Sequence, residues 1–172
     1  MFRRNAFIAL AALAAACTTM GPGANPSAVA NLEATKGNGV TGKVTFEQRS
    51  DGVHVHASIA GLAPNTEHGF HVHEKGDCSS GDGMSAGGHF NPDGKPHGPQ
   101  SGEHHAGDMP SLVADAYGNA SVSFVLKGVT IGGAGPDLVG RGLIVHRDPD
   151  DFKTQPTGNS GPRLACGVIV RT

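Results

Sequence analysis

The stretch Gly69-Phe70-His71-Val72-His73-Glu74 decides the fold of this chain. Successive side chains of a β-strand point to opposite faces of the sheet. Phe70 and Val72 therefore face one side, while His71 and His73 face the other. The pattern predicts a strand that packs an apolar face into a core and carries two imidazoles, close enough to share one ion, on the opposite face.

Two similar strand patterns precede this stretch. Residues 40–47 alternate apolar and polar side chains, and residues 53–59 do the same after a Ser50-Asp51-Gly52 turn. Together they predict a β-hairpin. His54 and His56 have the same spacing as the histidine pair above, but two solvent-facing histidines are the more common outcome of this spacing, and we predict that outcome here.

The rest of the chain adds further short strands. Residues 112–126 show two strand patterns around Tyr117-Gly118-Asn119, which predicts a second hairpin, and residues 142–146 and 164–170 also alternate. The chain contains 27 glycines, and each glycine inside a helix costs about 1 kcal/mol relative to alanine. We therefore predict an all-β fold, an antiparallel Greek-key β-sandwich or flattened barrel of about eight strands.

Two long segments have no strand periodicity. Residues 75–110 and 148–162 are polar and rich in glycine, and a loop of such length in a compact domain is functional or disordered. The first contains Cys78 and four of the ten histidines. We therefore predict two functional loops, the first of them fixed by metal and by a disulfide.

The histidines of the first loop have a regular spacing. His89, His97 and His105 recur every eight residues, and Asp108 follows three residues later. Three imidazoles and a carboxylate suit tetrahedral zinc, whereas imidazoles alone suit copper. His104 also precedes the Asp108 segment, so the spacing leaves a one-residue shift from His105 open.

The first residues have the features of a secretory signal. Arg3 and Arg4 precede an apolar run, residues 6–16, that is too short to span a bilayer. Residues 1–16 are predicted to be the signal, residues 17–38 a flexible tether and residues 39–172 the folded domain. Two interpretations of the cleavage stay open: lipidation of Cys17, which would anchor the protein to a membrane, or ordinary cleavage nearby.

Export also bears on the two remaining cysteines. Disulfides persist in oxidising compartments, so Cys78 and Cys166 are predicted to form one. The chain has a formal net charge of −2, and removal of its signal makes it more acidic. Nucleic-acid binding, which needs a basic face, is therefore not expected.

Six blocks, in the same order, resemble the copper/zinc superoxide dismutase family, and the resemblance runs from about Val40 to the C-terminus. The blocks are Gly69-Phe70-His71-Val72-His73-Glu74, Gly87-Gly88-His89-Phe90-Asn91-Pro92, His97-Gly98, His105-Ala106-Gly107-Asp108, residues 140–146, and Gly161-Pro162-Arg163-Leu164-Ala165-Cys166-Gly167-Val168-Ile169. The short spacing from His73 to Cys78 is similar to that of exported bacterial members.

The resemblance implies a role for each matching residue. Copper would be bound by His71, His73, His89 and His146, and zinc by His89, His97, His105 and Asp108. His89 would bridge the two metals and take up a proton during turnover. Asp150 would hydrogen-bond one ligand of each metal, and Cys78 and Cys166 match the family's disulfide. Arg163 matches the active-site arginine, and Lys153 is a weaker candidate for steering the substrate.

The activity implied by the resemblance is dismutation of superoxide to dioxygen and hydrogen peroxide, an antioxidant oxidoreductase reaction, by copper that cycles between Cu(II) and Cu(I). The predicted location is the periplasm, and the oligomeric state, monomer or homodimer, is left open. Two alternatives remain at this stage: an exported copper- or zinc-binding carrier, and a non-catalytic scaffold of the same fold.

Overall fold

A computed structural model describes residues 25–172 and confirms the predicted all-β class. The strands are β1 Ser27–Ala34, β2 Thr41–Arg49, β3 Gly52–Ala60, β4 Glu67–His68, β5 Phe70–His73, β6 Leu112–Val113, β7 Ala120–Leu126, β8 Gly142–His146, β9 Arg163–Val168 and β10 Val170–Arg171. One 3-10 turn, Met84–Ala86, lies in the first long loop. Within residues 25–172, no helix has the length and apolar character needed to cross a membrane.

Eight of the strands form one curled antiparallel sheet. Its order is β5-β8-β9-β1-β2-β3-β7, and β10 pairs with β1 beside this path. A second, two-stranded sheet contains β4 and β6. Strands distant in sequence are neighbours, as β3 with β7 and β5 with β8 show. This is the predicted Greek-key arrangement.

The core lies on the inner face of the sheet. On β2 and β3 every second side chain is buried, among them Val44, Phe46 and Val55. On β5 both faces are buried: Phe70 belongs to the apolar core, whereas His71 on the opposite face does not. Removing apolar side chains from water is the main favourable term in such a core, and it fixes which way the histidines of β5 point.

The prediction of a flexible tether over residues 17–38 is wrong for its second half, because Ser27–Ala34 is strand β1. Its inward side chains Ala28, Ala30 and Leu32 are 2%, 0% and 2% exposed. The strand pairs with β2 over most of its length and with β9 at its end. The folded domain therefore includes residues before the predicted boundary at 39. The predicted signal, Cys17 and the start of the tether lie outside the described residues.

The predicted hairpin around Tyr117-Gly118-Asn119 is also wrong in its pairing. Strand β6 pairs with β4, and β7 pairs with β3. The turn itself is present, because one carboxylate oxygen of Asp115 accepts hydrogen bonds from the backbone N–H groups of Tyr117 and Asn119. The turn chemistry was recognised correctly, but the two strands leave the turn toward different partners.

A disulfide joins the first long loop to the sheet. Cys78 and Cys166 are bonded, with their Cα atoms 5.8 Å apart, as predicted. Cys166 lies on β9, directly opposite Ile144 of β8. The loop that carries the clustered histidines is therefore attached covalently beside the strand that ends at His146.

Candidate metal centre

Neighbouring strands bring the first three histidines together. β5 and β8 pair antiparallel, so His71 and His73 on β5 lie beside His146 at the end of β8. The first long loop adds His89, which forms an isolated β-bridge with His73. The rings of His71 and His89 are stacked, with centroids 4.0 Å apart.

Four rings of this cluster present bare nitrogen atoms to one another. The Nδ1–H groups of His73 and His146 donate to the carbonyls of Gly87 and Gly161 at 2.9 and 3.2 Å. Their Nε2 atoms then carry lone pairs and lie 3.3 Å apart. Nδ1 of His71 and Nε2 of His89 are buried and have no hydrogen-bond partner. Lone pairs that face one another repel unless a cation lies between them, so the arrangement fits a metal ion.

Burial keeps the rings of His71, His73 and His146 neutral. It lowers the pKa of His71 to about 4 and that of His146 to about 3, and it holds the pKa of His73 well below its usual value. Nearby histidines contribute to these shifts in the same direction. A histidine binds a metal ion as the neutral imidazole. The low pKa values of His71, His73 and His146 therefore favour metal binding at neutral pH.

A second cluster adjoins the first at His89. It contains His89, His97, His105 and Asp108, whose ligand atoms lie within 4.8 Å of one another. In the first cluster the ligand atoms also lie within 4.8 Å of one another; its members are His71, His73, His89 and His146.

In the second cluster the carboxylate of Asp108 is central. Its Oδ1 accepts the Nδ1–H of His89 at 2.9 Å. Nδ1 of His97 and Nδ1 of His105 lie 3.0 and 3.3 Å from its oxygens without hydrogen-bond geometry. Donor atoms that converge in this way match the nitrogen and oxygen set that zinc prefers.

Asp150 holds one ring of each cluster from behind. Its carboxylate accepts the Nε2–H of His71 at 2.7 Å and the Nε2–H of His97 at 2.9 Å. These bonds leave Nδ1 of both rings directed at the clusters.

The pKa values of the second cluster reflect these contacts. Burial alone would lower the pKa of His97, but contact with Asp108 and Asp150 raises it to about 9. The carboxyl groups of Asp108 and Asp150 are buried, which alone would raise their pKa values, yet the histidines hold both values well below the usual range.

Arg163 lies beside the first cluster and shares a hydrogen-bond acceptor with it. Its guanidinium donates to the carbonyls of Gly83 and Gly87, both at 2.6 Å. The carbonyl of Gly87 also accepts the Nδ1–H of His73. Burial lowers the pKa of Arg163 from its usual value, but the group remains a cation because a guanidinium stays protonated in proteins.

The remaining candidates of the sequence lie outside the clusters. His54 and His56 bond to Asp51 and Ser123 on the outer face of the sheet, as predicted. His104 points its Nδ1 at the carbonyl of His105, so the structure places His105 in the second cluster. Lys153 is exposed.

Sequence reasoning missed the buried His68, which lies directly behind the first cluster. Its Nδ1–H donates to the carbonyl of His146 at 2.9 Å. Nε2 of His68 lies 2.7 Å from the hydroxyl of Thr66. A lone histidine on a two-residue strand gives no periodic signal, so no pattern in the sequence could have identified it.

The fold and the two clusters define a β-barrel metalloprotein with two adjoining metal centres that share one histidine. Comparison with known proteins agrees: the family model described as copper/zinc superoxide dismutase (SODC) matches residues 40–169. The chain belongs to this family. It is a superoxide dismutase that uses copper and zinc, and its substrate is the superoxide anion.

The curated relatives and solved structures support this assignment over most of the chain. Superoxide dismutase (Cu-Zn) 2 of Aquifex aeolicus is 42% identical over 81% of this chain and 84% of that protein. The Cu-Zn superoxide dismutase of Paramecium bursaria Chlorella virus 1 is 41% identical over 83% and 77%. A double mutant of a SOD-like protein from Bacillus subtilis has a TM-score of 0.75 and 37% identity, covering 83% of this chain and 96% of that one.

Proposed function

We propose a specific division of the two metals between the clusters. Copper is held by His71, His73, His89 and His146, and zinc by His89, His97, His105 and Asp108. The observation that carries this proposal is the position of His89. Its Nδ1 faces Asp108 at 2.9 Å, while its buried Nε2 faces the other rings without a hydrogen-bond partner. Once the Nδ1 proton that Asp108 accepts is displaced, this ring would offer one nitrogen to each metal.

Copper bound there would supply a one-electron couple, Cu(II)/Cu(I), so that one superoxide is oxidised to dioxygen and the next, with two protons, is reduced to hydrogen peroxide. Arg163 binds and orients the anion. Two carbonyls hold its guanidinium in place, and the N–H groups that do not face them remain available to superoxide. Nε2 of His89 is the atom that holds and releases a proton beside the first cluster, because its Nδ1 is engaged on the Asp108 side.

The second cluster has a structural role in this proposal. Asp108 accepts the backbone N–H groups of Gly98 and His105 at 3.1 and 2.9 Å, so the carboxylate organises the loop as well as the metal ligands. Asp150 joins both clusters through His71 and His97. Zinc bound here would fix the loop and the orientation of the shared His89.

We also propose that the protein works after export, in the periplasm. The disulfide between Cys78 and Cys166 supports this location, because such bonds persist in oxidising compartments. Cell fractionation of wild type and Cys17→Ala distinguishes the two forms of export. A lipid anchor predicts that wild type is in the membrane fraction and the variant is not, whereas ordinary cleavage predicts that both are soluble. Retention of both in the cytoplasm would overturn the proposal of export.

The assignment of the first cluster is tested by His73→Ala, with His56→Ala as the matched control. His56 is an exposed histidine of β3 that touches neither cluster. We expect wild type and His56→Ala to hold about one copper and one zinc per chain. His73→Ala should lose copper and superoxide dismutation but keep zinc. Full activity of His73→Ala in a superoxide-decay assay would contradict the assignment.

A further inference from the structure

The side chain of Gln155 pairs with the backbone of His97. Oε1 of Gln155 accepts the His97 N–H at 2.8 Å, and its Nε2 donates to the His97 carbonyl at 2.9 Å. These are the two bonds that a residue of a neighbouring β-strand would make. Gln155 belongs to the second long loop and His97 to the first, 58 residues apart in sequence.

The backbone of His97 relies on this pairing. Within residues 25–172, neither its N–H nor its carbonyl forms a backbone hydrogen bond. His97 itself is buried, at 3% exposure. Buried backbone groups that lose their partners are costly, so the Gln155 amide provides bonds that no strand supplies at this point.

His97 is consequently held at two ends by the same loop. Asp150 holds its ring through Nε2, and Gln155 holds its peptide groups on both sides of the Cα atom. A side chain fixed at its ring and at its backbone has little freedom to swing away. Its Nδ1 therefore stays directed at Asp108, 3.0 Å away.

We propose that Gln155 is a positioning residue for zinc: it keeps His97 in the ligating position and thereby slows zinc release. The inference rests on the proposed assignment of His97 to zinc. Groups behind a metal ligand typically change metal affinity by about 10- to 100-fold when they are removed. Gln155 differs from such groups in that it acts on the ligand's backbone rather than on its ring.

The test compares Gln155→Met with Gln48→Met in the fully metal-loaded protein. Methionine keeps the length of the side chain and removes both hydrogen bonds to His97, together with a third from Nε2 of Gln155 to the carbonyl of Lys153 at 3.2 Å. Gln48 makes the same kind of bonds, accepting from the N–H of Ile131 and donating to the carbonyl of Arg49, both at 3.2 Å, but it touches neither cluster. Zinc release is followed by transfer to a chromogenic chelator in excess, and copper content is measured alongside.

We expect zinc release from Gln155→Met to be about tenfold faster than from wild type, and release from Gln48→Met to be unchanged. Equal rates for Gln155→Met and wild type would overturn the inference. Equal acceleration by both substitutions would also overturn it, because it would show general loosening of the fold. Should Gln155→Met fail to fold, Gln155→Asn, which retracts the amide by one methylene, is subject to the same criteria.

Failure of the underlying assignment has a different signature. If wild type holds no zinc, or if His97→Ala holds zinc as tightly as wild type, the zinc assignment itself is wrong. If wild type holds zinc through His97 and Gln155→Met retains it equally well, only the role of Gln155 is refuted.

Discussion

Replacing Gly158 with alanine is a direct test of whether the second long loop keeps His97, the proposed zinc ligand, in place. Gly158 has a φ of +64°, in the left-handed region that favours glycine. A Cβ atom at this position would overlap Oδ1 of Asp150 and lie 2.6 Å from Nε2 of His97. The carboxylate would have to move, and its hydrogen bond to His97 would be lost.

The size of the effect has two parts. A left-handed backbone costs a residue with a side chain about 1–2 kcal/mol. Loss of the bond between Asp150 and the buried His97 adds about 1–3 kcal/mol. The first part lowers only the stability of the fold. The second part also weakens zinc binding, by roughly 5- to 150-fold, because it releases a ligand.

Gly94→Ala separates the two parts. Gly94 has the same φ of +64°, but a Cβ there would meet nothing within 4 Å. Thermal unfolding should report the backbone cost in both variants. Chelator competition should show weaker zinc binding in Gly158→Ala alone. If Gly158→Ala and Gly94→Ala bind zinc equally well, the contact of the loop with His97 does not support the metal, and the reasoning fails.

Three further predictions concern Arg163, the disulfide between Cys78 and Cys166, and the release of a proton when zinc binds. In stopped-flow assays, Arg163→Ala should keep both metals but react more slowly with superoxide, and its rate should fall less with added salt, because salt screens the field of the charge that was removed. The rate of Arg163→Lys should be intermediate. If Arg163→Ala equals wild type in rate and salt dependence, the role of Arg163 is structural. Thiol titration of unfolded, unreduced protein should find Cys78 and Cys166 unreactive, and reduction should weaken metal retention; two reactive thiols in the native metal-loaded form would refute this. Because contacts with carboxylates raise the pKa of His97 to about 9, zinc uptake by the metal-free chain should release a proton and strengthen as pH rises toward 9. Calorimetry in buffers of different ionisation enthalpy measures that proton, and an enthalpy independent of the buffer would contradict the prediction.

Local pattern and spacing predicted much of the fold and the histidine groups of β5 and the first long loop, whereas the place of His146 and the shared role of His89 were implied only by the family resemblance. The alternation on β5 identified a core face and a histidine face; the apolar face is buried as expected, and the structure shows that the histidine face is buried as well. The regular spacing of His89, His97 and His105 led to the residues that the structure brings together with Asp108. These features are encoded by residues close in sequence, which is why they could be recognised.

The features that escaped prediction depend on partners distant in sequence. Strand β1 contains mostly alanine and polar residues, which have weak strand preference, and its pairing with β2 and β9 makes it a strand. The pairing of β6 with β4 could not be predicted from the local sequence pattern either. Gln155 could not be recognised either, because its function lies in a contact with the backbone of His97, which has no sequence signature.

The position of β1 has a consequence for the order of events in folding. This strand lies near the start of the chain, yet Glu33 pairs with Cys166, and Ala28 pairs with Arg171 at the other end. The ribosome therefore completes β1, and β2 on one side of it, long before β9 and β10, its partners on the other side, exist. Contacts of high sequence separation slow folding, so the sheet cannot close until β9 and β10 have been made, and the disulfide cannot form before Cys166 has been made. Truncation of β10 would leave Ala28 and Val29 of β1 without strand partners on that side, while β9 would still pair with Glu33 and Ala34.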